Sequence, residues 1–466
     1  MSRVKIFRRV GAAALALVMT TLSVSPGGAG GYRTRSTEIA PGVTYTKMRD
    51  PRGPWSIRVV SIVLSEASTI EPVLASDKLP GFETTSSMAR RNGALAAING
   101  DYARSSGRPV MLFAQDGELA QTALTRGVNF AVNASETTAY IKHQKPEMWL
   151  TELDSGFEHV VKRFNAGWPS SRQINGFSPL GGREERPPSG ACSSRLYPTE
   201  GFRPAVTRPG LEQTHVVHES ICKSGTLWPK RGRVFSTPMA GPHAVSVASL
   251  TPGEEVRFGW SLGWPDVFET IGGNPTLVRD GQIFIERRGE GAFFRRHPRT
   301  GVGTTSDGRV LFVTVDGRQS GYSVGMTPYR FAKLFVSLGA NYALNLDGGG
   351  STTMVVNGNI VNRPSDGYER PVSSSLVLLP GPDPAPTTTP GPVPTTSPTP
   401  SPSPTSLLPD VTSPDLSSRV LTDEQVWLRI ARDPASTGGL ADWLLHEGVR
   451  LRGTLRDAAH IFQRRY

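Results

Sequence analysis

An α+β domain, a mixed β-sheet with helices packed against it, is the fold this sequence predicts for residues 31–379. Three observations predict it. Residues 43–379 are a succession of short apolar runs broken by Gly and Pro. Four of the breaks, Asp116-Gly117, Asp280-Gly281, Asp307-Gly308 and Asn357-Gly358, suit tight hairpins, because both central residues of a type I′ turn need positive φ. Helical patterns lie between some of the runs. Phe331, Leu334, Phe335 and Leu338 fall at i, i+3, i+4 and i+7 and form one apolar stripe, with Thr327 to cap it, Pro328 for its first turn and Gly339 to end it. A second helix is expected over residues 85–91, just before the apolar run Ala96-Ala97-Ile98.

Segments outside this domain have their own signatures. Residues 1–30 carry Arg3, Lys5, Arg8 and Arg9, then an apolar stretch over 11–24, then Gly27-Gly28-Ala29-Gly30, the pattern of a secretory signal peptide; an uncleaved N-terminal anchor is the alternative. Residues 380–418 are a Pro/Thr/Ser tract that cannot bury apolar surface and is expected to be an extended linker. Residues 419–466 read as a small helical module, with Thr422 and Gln425 as a capping box and Trp427, Ile430, Trp443 and Leu444 for a small core. This module resembles short helical repeats of bacterial surface proteins, and surface association through it is an expectation. Residues 149–260 are the least regular part and are expected to be a loop-rich, disulfide-pinned region of the main domain.

The formal net charge is +11, and removal of residues 1–30, with four basic and no acidic residues, leaves +7. A basic chain suits an anionic envelope polymer. Nucleic acid is not expected as a partner: no recognised binding module is present, and the Arg-rich stretch 287–299 is short. The two cysteines, Cys192 and Cys222, read as a disulfide in an exported protein. Closing a loop of roughly thirty residues, it contributes on the order of 3 kcal/mol in the chain-entropy model.

Chemistry is expected where apolar runs stop. Residues 342–346 lead into Asp347-Gly348-Gly349-Gly350-Ser351; residues 309–315 lead into Asp316-Gly317-Arg318; and Ala96-Ala97-Ile98 leads into Asn99-Gly100-Asp101-Tyr102. Arg299-Thr300-Gly301-Val302-Gly303 precedes the second of these, and Glu369-Arg370 follows the first. A strand–helix–strand unit around Thr327 puts Asp316 and Asp347 at one sheet edge, provided the two strands run parallel.

In this order, the Ile98-to-Tyr102 box, the Gly272-Gly273-Asn274-Pro275 box, the Arg299-to-Gly303 box and the Asp347-to-Ser351 box resemble the phosphodiester glycosidase family. The resemblance runs from about residue 43 to residue 379. It implies hydrolysis of a sugar–phosphate diester at the anomeric carbon. A phosphate is already a good leaving group, so such a site needs carboxylates near the anomeric carbon and cations near the phosphate.

The sequence offers Asp316, Asp347 and Asp101 as carboxylates, without deciding which is nucleophile or base, and His297 as a proton shuttle. Arg299, Arg318 and Arg370 are candidates to grip phosphate, because a guanidinium matches its oxygens bidentately; Gly301 and Gly303 suggest close ligand approach beside Arg299, and Arg370 has Glu369 as a neighbour to pair with. Asn99 and Asn274 are candidates for sugar hydroxyls or an acetamido group; Gly349 and its neighbours offer backbone N–H groups as an anion nest, and Ser351 a hydroxyl. No cofactor is required. Strand-end aspartates admit Ca²⁺ as an oxygen-ligated ion, although no DxDxDG loop is present. The expected substrate is a carbohydrate or glycosyl-phosphate polymer of a bacterial envelope, met outside the cell. A non-catalytic carbohydrate-binding protein and a cell-wall glycosidase acting on ordinary glycosidic bonds fit the same residues.

Overall fold

The computed structural model describes residues 32–381, apart from 65–67, 124–126, 144, 171, 184, 206–207, 224 and 265. The expected leader, the linker beyond residue 381 and the helical module lie outside the described residues.

Two large sheets and two small ones make up the described chain. The first runs Arg33–Ala40, Val43–Asp50, Trp55–Val63, Arg309–Val315, Arg299–Thr305, Ala340–Asn345, Thr276–Arg279, Gln282–Ile283. Every neighbouring pair in it is antiparallel. Its central strand, Arg299–Thr305, lies between Arg309–Val315 and Ala340–Asn345 and opposes both. Those two strands therefore point the same way, and their C-terminal ends share an edge with the start of the central strand. One face packs on two five-stranded sheets through Val60, Val302, Phe312 and Leu344 against Ile98, Phe130, Ile271 and Leu376. The other face is covered by the helix Pro328–Ser337, whose Phe331 and Phe335 are fully buried against Leu277, Leu311 and Val313. Each buried Phe is worth about 1.5–3 kcal/mol of transfer free energy.

That helix begins as the sequence predicts, with the Thr327 side chain accepting the Arg330 N–H, and Gly339 follows it at φ 85. The second expected helix is Thr85–Arg91, capped by Thr84. All four predicted hairpins form. Three have positive φ at both turn residues. At Asp307-Gly308 only the glycine does, so the turn has the three-residue form with Gly in the left-handed position.

Two expectations are corrected. The domain is mostly β rather than α+β: three α-helices occur among the described residues, and a single pair of named strands, Glu158–Phe164 with Ile174–Phe177, is parallel. Hairpin-spaced turns gave the strands; the two helical patterns were too few to set the class. Residues 149–260 are not loop-rich. Seven strands close a ring in the order Ala191–Pro198, Arg233–Pro238, Ile174–Phe177, Glu158–Phe164, Glu147–Glu152, Glu255–Ser261, Leu211–Lys223 and back to the first. The barrel is filled by Leu150, Phe164, Leu196, Phe235, Phe258 and Trp260. Closure satisfies the edges, so the strands need no long alternating pattern to be stable. Cys192 and Cys222 are bonded, and sit opposite one another on neighbouring barrel strands.

Candidate active site

The shared edge of the large sheet meets the end of the strand Ala96–Asn99 from a small sheet, and there the motif residues converge. Asn99 joins the pieces. Its side chain is fully buried, donates to the Asp347 carbonyl at 2.7 Å, and accepts from the Thr300 hydroxyl at 2.7 Å and the Thr353 N–H at 3.1 Å. It holds three segments in register and cannot reach a sugar, contrary to the expectation. Asp347 N–H in turn donates to the Gly100 carbonyl at 3.0 Å.

Asp347 is half-buried. Its Oδ1 accepts the Gly348 N–H at 2.9 Å, and the Ser351 hydroxyl donates to its carboxylate. Burial nonetheless raises its pKa. Asp101 is 2% exposed; its Oδ2 accepts the Met111 N–H at 2.6 Å, while Oδ1 has no hydrogen-bond partner. Burial, helped by the charge of Asp347, pushes Asp101 up to about 8. Two carboxyl groups thus sense one another, and at neutral pH the deeper one holds a proton.

Asp316 is placed differently. It is 1% exposed, and its carboxylate is occupied by the protein: Oδ1 accepts the Arg363 N–H at 2.9 Å and the Asn362 amide at 3.2 Å, and Oδ2 accepts the Tyr322 hydroxyl at 3.0 Å. It fastens the loop around residue 362. The carboxylate whose charge acts on Asp101 is Asp347, so the pair at this edge is Asp101 and Asp347.

Arg299 is 3% exposed and forms no ion pair with a carboxylate among the described residues. Main-chain carbonyls hold it instead, with Nε donating to Met326 at 3.0 Å and Nη2 to Phe293 at 2.5 Å and Arg295 at 2.9 Å, and the Phe293 ring lies 4.7 Å from the guanidinium carbon. Burial and the like charge of Arg318 lower its pKa to about 10, while nearby Tyr102 opposes the shift. A buried guanidinium without a counter-ion is costly unless an anion arrives. Gly301 and Gly303 do not open the site to a ligand: a Cβ on Gly301 would come within 3.1 Å of the Phe331 and Phe335 rings, and one on Gly303 within 2.9 Å of the Phe335 ring, so they admit the helix on the opposite side.

Arg318 is exposed, with φ 59, and its Nε donates to His297 Nδ1 at 3.3 Å. Its guanidinium lies over Gly349, where an added Cβ would come within 3.0 Å of Nη2. His297 Nε2 donates to the Ala292 carbonyl at 2.9 Å, and its pKa is lowered by burial and by Arg318, Arg299 and Arg295. The ring is therefore neutral at pH 7 and orients Arg318. Arg370 pairs with Asp366, its Nε donating to Oδ2 at 3.1 Å, rather than with Glu369, which accepts from the Ser86 N–H and hydroxyl. The glycine nest is mostly spent. Gly348 N–H goes to Asp347, Gly349 N–H to Pro298, and Ser351 N–H to Gly348.

Asn274 has an exposed side chain, while its carbonyl accepts from Tyr102 hydroxyl at 2.9 Å and Asn345 Nδ2 at 3.1 Å. Sequence reasoning passed over Tyr102 and Asn345 as site residues. Tyr102 also accepts from Asn345 Nδ2 at 2.7 Å, and its hydroxyl pKa is raised by burial and by Asp347. Tyr102 ends the Ile98-to-Tyr102 box and Asn345 lies in the run 342–346 ahead of Asp347, so nearness to Asp101 and Asp347 was the signal. Among the described residues, no group of three or more His, Cys, Asp or Glu side chains is placed to hold a metal ion.

The edge thus gathers a carboxyl pair, with Arg370 as the cation whose charge acts on Asp347, and close by it Arg318 over Gly349 and the buried Arg299 beside Tyr102, neither of them ion-paired with a carboxylate among the described residues. Residues 214–379 match the family model described as phosphodiester glycosidase. Over that part, the chain is similar to the phosphodiester glycosidase family. The SPbeta prophage-derived protein YomE of Bacillus subtilis is 46% identical over 83 residues, 18% of this chain and 13% of that protein. The N-acetylglucosamine-1-phosphodiester alpha-N-acetylglucosaminidase of Bos taurus is 32% identical over 111 residues, 21% of each chain. The chain therefore spans about a fifth or less of these relatives' lengths. A solved structure, of a hypothetical protein from Synechocystis, shares the fold with TM-score 0.53 at 20% identity, covering 72% of this chain and 62% of that one. The family match begins inside the barrel, so Asn99 and Asp101 lie before it.

Proposed function

We propose that this chain hydrolyses a sugar 1-phosphodiester of the N-acetylglucosamine 1-phosphate type, at the anomeric carbon, in bacterial envelope or exopolysaccharide material outside the cell. The observation that carries the reading is Arg299, buried without a carboxylate partner among the described residues and sensing both Arg318 and Tyr102. The linkage type is the one in the bovine relative's name. The bonded cysteines and the basic-then-apolar N-terminus support export.

In this reading Arg299 and Arg318 hold the phosphate and take up the charge that grows on it as the bond from the anomeric carbon to oxygen breaks. The phosphate monoester leaves with the electron pair. Asp347, steered by Ser351, faces the anomeric carbon and acts through its carboxylate form, either as nucleophile or as the base that takes a proton from attacking water. Asp101, protonated and buried, does not touch the sugar. It keeps a second negative charge away from Asp347, while Asn274 reaches a sugar hydroxyl or acetamido group. Water completes the balance, giving free sugar and phosphate monoester without a cofactor.

The test is incubation of the secreted protein and its Asp347→Ala form with UDP-N-acetylglucosamine and a simple N-acetylglucosamine 1-phosphodiester, with and without EDTA, followed by phosphorus and proton NMR. Free sugar plus phosphate monoester is expected, abolished by the substitution and unchanged by EDTA. Loss with EDTA restored by Ca²⁺ would add a metal to the reaction. Binding without turnover would favour a carbohydrate-binding protein. Cleavage of an unphosphorylated glycoside, insensitive to Arg299→Gln and Arg318→Gln, would favour an ordinary glycosidase.

A further inference from the structure

A cationic lip borders the two site arginines. The segment from Arg287 to Arg296 carries Arg287, Arg288, Arg295 and Arg296, all exposed, and none forms an ion pair with a carboxylate among the described residues, although Glu286 and Glu290 lie in the same stretch. The segment is packed rather than loose. Phe293 and Phe294 meet edge to face at 5.5 Å, and Gly289 lies against the Phe294 ring, where a Cβ would come within 2.2 Å. That contact ties Gly289, next in sequence to Arg288, to the turn Ala292–Phe294. The same turn is fixed to the site, because Phe293 and Arg295 supply two of the carbonyls that hold Arg299, and Ala292 supplies the one that holds His297.

Like charges gathered on a rigid lip repel one another unless a polyanion spans them. A single diester brings one phosphate, which Arg299 and Arg318 suffice to hold. We propose that Arg287, Arg288 and Arg296 bind the phosphates flanking the scissile one, so that the substrate is a polymer with a phosphodiester in every repeat, a poly(glycosyl 1-phosphate), rather than an isolated diester. This rests on the function proposed above and names its substrate class.

The test compares wild-type protein with the triple variants R287Q/R288Q/R296Q and R287K/R288K/R296K, each as full chain. The substrates are poly(N-acetylglucosamine 1-phosphate) and a methyl N-acetylglucosamine 1-phosphodiester. The glutamine triple is expected to raise KM for the polymer about tenfold, as three exposed charge contacts of modest strength would. It should flatten the salt dependence of polymer cleavage and leave kcat/KM for the small diester within about twofold. The lysine triple should recover most of the loss. Equal effects on both substrates, no effect on either, or a lysine triple as poor as the glutamine triple would overturn the proposal. If wild type cleaves neither substrate, the proposed function fails separately, and polymer binding by the Asp347→Ala form decides the lip. Salt-sensitive binding that is absent with neutral chitin oligomers and lost in the glutamine triple supports the lip; binding unchanged by the triple overturns it.

Discussion

Asn99 donates to the main-chain carbonyl of Asp347 at 2.7 Å across 248 positions of sequence, and this bond ties the small sheet to the edge of the large one. Replacing Asn99 by Ala leaves the Asp347 carbonyl, the Thr300 hydroxyl and the Thr353 N–H without their buried partner. A loss of about 3 kcal/mol or more is expected, read as a lower midpoint in urea. Activity should fall even under conditions where the variant is folded, because Asp347 loses its register.

Asp347→Asn keeps the shape of the side chain and removes its charge. The turnover number should fall by about 10²–10⁴, the range for a group acting on protons in the transition state, with little change in KM. Thermal stability should not drop, since burial already disfavours the charge that is removed. Steady-state kinetics and a melting curve on one preparation check both.

Asp101 makes stability fall with rising pH. Its pKa is raised from 3.8 to about 8 on folding, so between those values the folded state holds a proton that the unfolded chain has released. The stabilisation is complete below the lower value and is lost as pH approaches the upper one, with a slope of at most about 1.4 kcal/mol per pH unit. Asp101→Asn should flatten that slope, so that the variant gains on wild type from pH 4 to 8 in denaturant titrations. A slope identical in the two proteins would place the proton elsewhere.

Inorganic phosphate should occupy the arginine pair in the absence of substrate. At concentrations about a hundredfold above its Kd, the melting temperature should rise by about a few degrees. The rise should vanish in Arg299→Gln and shrink in Arg318→Gln, but persist in Arg370→Gln, because Arg370 is already paired with Asp366. Differential scanning fluorimetry across a phosphate series, with chloride as control, gives the comparison.

Much of the site was legible because its residues stand where strands stop. Apolar runs ending in Asp347, Asp316 and Asn99 announced a common edge, and the helix stripe from Phe331 to Leu338 put two of them on one edge provided their strands ran the same way, a condition the antiparallel strand between them meets. Partner choice was not legible. Asp316 and Asp347 look alike in sequence; only the fold reveals that Tyr322, Asn362 and Arg363 consume one of them. Gly301 and Gly303 made the same signal for ligand or helix, and the aromatic rings across the sheet decided it. The barrel was missed for a related reason. Its strands owe their stability to closure between distant segments, such as Ala191–Pro198 with Leu211–Lys223, and no local period records that.

The barrel leaves and rejoins the rest of the chain at neighbouring points. Lys145 N–H bonds the Leu262 carbonyl at 3.3 Å, and just beyond them the strand Val128–Asn133 pairs with Val267–Gly273. Seen from that pairing, a long excursion in sequence behaves as a short connector once the barrel has formed. The entropy of bringing the two strands together is then set by the few residues outside the ring rather than by the whole excursion. Assembly of the barrel first would therefore shorten the search for the strands beneath the catalytic edge.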